Sequence, residues 1–246
     1  MSIITTTYTE RKTIKTDDAG NVTITTSHDA HTVSEYRFTE LAPEAQARAI
    51  RDAIEEEERD YYSGNPCQMY FTEREIIDAA SDLEKSQPIE ITQDYGCSWY
   101  GTARGGYWHH AADWEAVTEQ QHNGICYSMD ICDAWNAYAA RIVALQEGHE
   151  EATDRAYVHD ENADNAADNG NAEIEKAERN RAAFYDRMAE RIEEVAEELT
   201  EEAARAVGNT VDSLIEGERD YYTSAEFWRD WYTNGDDRFT RSGERI

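Results

Sequence analysis

The most suggestive chemistry in this 246-residue chain is a run of ionisable side chains between Asp186 and Glu202. Asp186, Glu190, Glu193, Glu194, Glu197, Glu198, Glu201 and Glu202 recur every three or four residues. On a helix this spacing puts them on the side away from an apolar stripe of Phe184, Met188, Ile192, Val195, Leu199, Ala203, Val207, Val211 and Leu214. A rise of about 1.5 Å per residue sets neighbouring carboxylates roughly 5 to 6 Å apart along the axis, approaching the pitch of phosphates along a nucleic-acid strand. Such a rod has the chemistry of a polyanion and could fill a basic groove in place of DNA or RNA. Arg187, Arg191 and Arg205 temper the run, which is also the pattern of an ordinary solvated helix face.

A second group is His109, His110 and Asp113, with His122 beyond. A small hydrolytic or metal-dependent enzyme acting on a cationic or metal-bound substrate would use the first three. Neighbours on a strand point to opposite faces, so on a strand the two histidines would not hold one ion. There is no H-E-x-x-H, and Cys126 and Cys132 do not have C-x-x-C spacing. A nucleophile pair built from Cys97 or Cys126 and a histidine has no support from spacing, and "ARGG" is too short for a phosphate loop. The expectation is a non-enzyme without metal or cofactor. The third group, Trp99, Arg104, Tyr107 and Trp108, has the aromatic-plus-arginine make-up of a protein–protein hot spot, and equally that of a packed small sheet.

Composition narrows the partners. The formal net charge is −30, with only four lysines. A chain this acidic is repelled from nucleic acid and from anionic membranes, and it attracts basic protein surfaces. A salt-adapted or acidic proteome would produce the same balance. No apolar run approaches the roughly 18 residues that span a bilayer, and the start, "MSIITTTYTERKT", lacks a signal-peptide core, so a cytoplasmic protein is expected. Four cysteines do not form a disulfide framework in a chain of this size.

The elements that must position these groups predict an α+β protein. It has a small antiparallel sheet packed by helices and a long acidic amphipathic helix in the C-terminal third. Residues 1–30 read as a β-hairpin: "IITTTYTERKTIKT" and "VTITT" flank the turn cluster "DDAGN", and a third strand is expected at "TVSEYRF". Residues 31–147 read as an α+β core. Its first helix runs from Pro43 to just before Gly64. A second is announced by the capping box Thr72…Glu75 and stopped by Pro88. Short strands with glycine turns follow through "NGICYSMDI", then a helix over about 132–147. Residues 148–172 are acidic and poor in apolar anchors, and read as a loop or linker. Residues 173–246 are a helical region in which Gly208 and Gly217 are candidate bends, ending in the short helix "SAEFWRDWYTN".

"ERDYY" occurs at Glu58–Tyr62 and again at Glu218–Tyr222. Arginine in a last helical turn suits the negative end of the dipole, and paired tyrosines bury ring area while keeping hydroxyls wet. The upstream stretches "LAPEAQARAI" and "LTEEAARAV" are also alike, so the copies read either as a helical duplication or, the preferred reading, as a shared way of ending a helix.

"YRFTELAPEAQARAI" resembles an F-x-E-L-S-x-E-A-Q opening in uncharacterised phage and prophage proteins, and "ERDYYTSAEFWRDWYTNGDDRFTRSGERI" is similar to their F-T-x-x-G-x-R tail. The matching positions are Phe38, Glu40, Leu41, Glu44, Ala45 and Gln46, then Ser224, Glu226, Phe239, Thr240, Gly243 and Arg245. Ala42 stands where that family has serine. The resemblance implies a phage accessory protein acting in an infected bacterium, of a kind that often accompanies anti-defence proteins, anti-CRISPR proteins included. With the acidity, this leads to an expected function. It is a stoichiometric inhibitor of a host defence nuclease, using the acidic helix as a DNA or RNA mimic against a basic host protein. An antitoxin-like module that neutralises a basic partner is the neighbouring reading.

Overall fold

The computed structural model describes residues 3–16, 22–94, 98–112 and 127–246, with side-chain surroundings from residue 34 onward. The chain divides into two compact units, residues 1–70 with 219–246, and residues 71–218. The expected division at 30, 147 and 172 is therefore redrawn: the C-terminal end of the chain belongs with its beginning.

In the first unit, β1 (Ile3–Thr16) pairs along its length with β2 (Val22–Glu35), in antiparallel register from Ile3↔Glu35 to Thr16↔Val22. The third strand expected at "TVSEYRF" is the far end of β2, continuous with "VTITT". The turn cluster lies outside the described residues. Helix α1 (Pro43–Tyr62) begins on Pro43, whose missing N–H is one that a first turn leaves unbonded anyway. It is followed by Gly64 at φ +70°, a conformation costly for other residues. Ala42 precedes it with no side-chain cap. Gln46 donates its side-chain amide back to the Phe38 and Leu41 carbonyls, at 3.1 and 3.3 Å.

The core of this unit is aromatic: Phe38, Tyr222, Phe227, Trp228, Tyr232 and Phe239 pack with Ala45, Ala49, Ile50 and Met69. Tyr36 and Phe239 exchange backbone hydrogen bonds of 3.0 Å, which tie the end of β2 to the C-terminal tail. Gly243, at φ +93°, lies so close to α1 that a Cβ there would meet the Ala45 carbonyl oxygen at 2.2 Å. The opening and tail motifs thus meet in one core, where Phe38, Phe239 and Gly243 have packing roles. The two "ERDYY" segments also meet. Arg219 lies 5.6 Å over the Tyr61 ring, its Nη2 3.4 Å from the Tyr61 hydroxyl.

In the second unit, α2 (Gln68–Ser86) starts a full turn before the expected box, so Thr72 is a buried residue inside the helix. Within the first unit, the buried Glu57 of α1 accepts the Met69 N–H at 2.8 Å, a tertiary cap that local sequence does not encode. After α2 come β3 (Ile89–Gln93) and β4 (Trp99–Ala103), paired antiparallel with Ile91↔Gly101 at the centre. In "NGICYSMDI", where strand is expected, the described part from Tyr127 onward is helix, the start of α3 (Tyr127–Asp168).

Helix α3 overturns the loop expected at 148–172. It is followed by a turn with Gly170 at φ +70° and then α4 (Ala172–Tyr222), unbroken at Gly208 and Gly217. Helix α5 (Ala225–Asn234) starts on Ser224, whose hydroxyl accepts the Phe227 N–H at 3.1 Å. Among the described residues, no helix is long and apolar enough to cross a membrane.

Candidate partner-binding surface

Helix α4 is positioned differently along its two halves. At its base, Leu199, Ala203, Ala204, Val207, Val211 and Ile215 are buried with Ile76, Leu83, Ile89, Ile131, Trp135 and Ile142 in one core. Trp135 is fully buried and donates its indole N–H to the Ala112 carbonyl at 2.9 Å. Here α4 also covers an edge of the small sheet. A Cβ on Gly208 would lie 2.1 Å from the Gly101 nitrogen, and one on Gly101 would lie 1.9 Å from the Ala204 oxygen. Gly208 is therefore the point of backbone contact with β4, and its expected role as a bend is corrected. On either side of that contact, Asp212 accepts the Trp99 N–H at 2.9 Å and Glu201 accepts the Ala103 N–H at 2.8 Å. Two carboxylates thus satisfy backbone donors on an edge that would otherwise recruit another strand.

Toward the turn, the seam between α3 and α4 is made of alanine. Ala152, Ala156, Ala163 and Ala166 are buried on α3, and Ala182, Ala189, Ala196 and Ala203, seven residues apart, on α4. A sevenfold repeat of small residues lets two helices approach closely with knobs too short to splay them. Charge pairs fix the antiparallel register: Arg179 reaches Asp164 at 3.0 Å and Asp160 at 3.9 Å, and His159 Nδ1 lies 2.6 Å from Glu178 Oε2. That hydrogen bond, helped by Arg181, holds the Glu178 carboxyl below its usual range. The seam is the physical reason for a helix where a loop is expected: alanines alone supply the apolar anchors.

The carboxylate row is mostly free. Asp186, Glu190, Glu193, Glu194, Glu197, Glu198 and Glu202 are exposed, with Glu194 paired to Arg191. Glu201 leaves the row, because it is engaged by β4. On α3, Glu147, Glu150, Glu151, Asp154, Glu161, Asp164 and Asp168 are also exposed, and all but Glu147 fall in the segment expected to be a loop. Phe184 and Met188 leave the apolar stripe: both are exposed while Ala182 and Ala189 take the seam.

The aromatic group divides. Trp108 is buried and Trp99 is half-buried against the core, so both have packing roles. Arg104 and Tyr107 are exposed at opposite ends of a glycine turn, the Tyr107 N–H bonding the Arg104 carbonyl at 3.1 Å. His109 and His110 lie on a 3-10 turn (Trp108–His110) and not on a strand, so they are not held on opposite faces. Their ring centroids are 4.1 Å apart, with Tyr107 about 6 Å from each. Asp113, His122, Cys97 and Cys126 lie outside the described residues. Among the described residues, no group of three or more His, Cys, Asp or Glu side chains is placed to hold a metal ion.

No family model, curated protein or solved structure matches the chain.

Proposed function

We propose that the chain is a non-enzymatic, phage-encoded binding protein that inhibits a host defence nuclease by occupying its basic nucleic-acid channel. The supporting observation is the free carboxylate row on α4, Asp186 to Glu198 with Glu202, carried on a helix that is stiffened along the same length by its alanine seam with α3. A row on a packed helix is pre-organised, so little conformational entropy is lost when it meets guanidinium and ammonium groups. The exposed acidic residues of α3 add a second line of charge on the antiparallel helix. Repulsion from nucleic acid at a net charge of −30 directs the attraction to the protein that binds nucleic acid.

The test is a pull-down with the full chain from nuclease-treated bacterial lysate, eluted by stepwise salt and, in parallel, by added duplex DNA or RNA. The expected result is a nucleic-acid-binding protein released by salt and displaced by nucleic acid. A partner that nucleic acid does not displace would exclude mimicry.

A further inference from the structure

We infer that the surface around Tyr185 seats a basic amphipathic helix of the partner, an inference that rests on the reading that the partner is basic. Among the large apolar side chains exposed on α3 and α4, three lie on the segments that meet at Tyr185: Phe184 at 55%, Val158 at 51% and Met188 at 41% of full exposure. Ring contacts join Phe184 to the acidic side of α3. The Phe184 ring meets Tyr185 edge-on at 5.3 Å, and Tyr185 stacks on His159 at 5.5 Å with the planes 7° apart. Arg155 lies 5.6 Å over the Tyr185 ring, its Nη1 3.4 Å from the hydroxyl, and is itself held by Glu151. Arg155, Val158 and His159 line a shallow, open groove of about 430 Å³ along one face of α3, together with Glu147, Glu150, Glu151 and Asp154.

An apolar patch and a carboxylate-lined groove are therefore continuous through Tyr185. The occupant must carry both characters. Glu147, Glu151 and Asp154 are three or four apart, as are Phe184 and Met188, which is the spacing at which a docked helix presents its own side chains. Arginines on that helix would meet Glu147, Glu150 and Asp154, and aliphatic residues beside them would cover Phe184 and Val158. A second copy of this chain fits poorly, since it would bring carboxylates against carboxylates at −30 per copy.

The test uses two labelled peptides of equal positive charge, one with leucine and arginine at helical spacing and one with serine in place of leucine. Binding to the full chain is read by fluorescence anisotropy. The expected result is about tenfold tighter binding of the leucine peptide, from roughly 1.4 kcal/mol per factor of ten. Phe184→Ser with Met188→Ser should erase that ratio and leave serine-peptide binding and the circular dichroism spectrum unchanged. Lysine at Glu193, Glu194, Glu197 and Glu198 should weaken both peptides and keep the ratio. Equal binding of the two peptides by the unaltered chain would overturn the apolar seat while leaving the polyanion reading standing. A retained ratio with no effect of the four lysines would do the reverse, and binding of neither peptide would overturn both. Concentration-dependent dimers lost in the double serine variant would show a second copy as the occupant and overturn the inference.

Discussion

The two halves of α4 use the same residue types for opposite ends. At the base, Asp212 and Glu201 accept backbone N–H groups of β4, large aliphatics fill the core, and Gly208 permits backbone contact. Toward the turn, the packing side chains are alanines, the carboxylates face solvent, and Phe184 and Met188 are left outside. Fold stability is concentrated in the first half and surface chemistry in the second. A glutamate's role is set by which element packs against it rather than by its place in an acidic run.

Substitutions at the base should therefore act on folding, and those toward the turn on binding. Trp135→Ala removes a fully buried indole and its hydrogen bond, and should destabilise the chain by about 3–5 kcal/mol in a denaturant titration. Gly208→Ala inserts a methyl group against β4 backbone, with an expected loss of about 1–3 kcal/mol. Asp212 and Glu201 would be pulled from their partners in the same movement. A neutral result for Gly208→Ala would show that α4 does not depend on that contact.

A smaller effect follows from Glu218, whose carboxyl burial pushes above its usual pKa, with the Tyr127 hydroxyl opposing this. The folded protein then holds a proton that the unfolded chain has already lost. This carboxyl's effect on stability is neutral below the ordinary pKa and turns unfavourable as pH rises through the folded one. Glu218→Gln should raise the Tm slightly near pH 7 and leave it unchanged near pH 4. A gain of the same size at both would point to packing instead. Smallest of all, Phe184→Ala should change stability by no more than about 0.5 kcal/mol, since the ring is exposed. A larger loss would mean that the exposed patch holds the hairpin together.

Much of the architecture is readable in the residues: the N-terminal hairpin, the first helix between Pro43 and Gly64, the C-terminal helix on Ser224, and the long acidic helix. What escapes is tertiary in origin. The start of α2 depends on Glu57, twelve residues before Met69. The outer half of α3 packs through alanines, whose small apolar area gives little periodic contrast. The engagement of Glu201 depends on Ala103, about a hundred residues earlier in the chain. In the candidate surface, the α4 row could be read from spacing alone. The α3 carboxylates beyond Glu147 could not, because that half of the helix packs through alanine, and the exposure of Phe184 could not, because an alanine seam displaces the larger side chains.

The most direct test of polyanion mimicry is the salt dependence of affinity for the captured partner, measured with the unaltered chain and with Glu193, Glu194, Glu197 and Glu198 all replaced by lysine. The account expects the unaltered chain to lose affinity steeply as salt screens the contact, over a Debye length of about 10 Å at 0.1 M. It expects the charge-reversed chain to fold normally and not bind. Equal affinities for the two chains, with no dependence on salt, would contradict it.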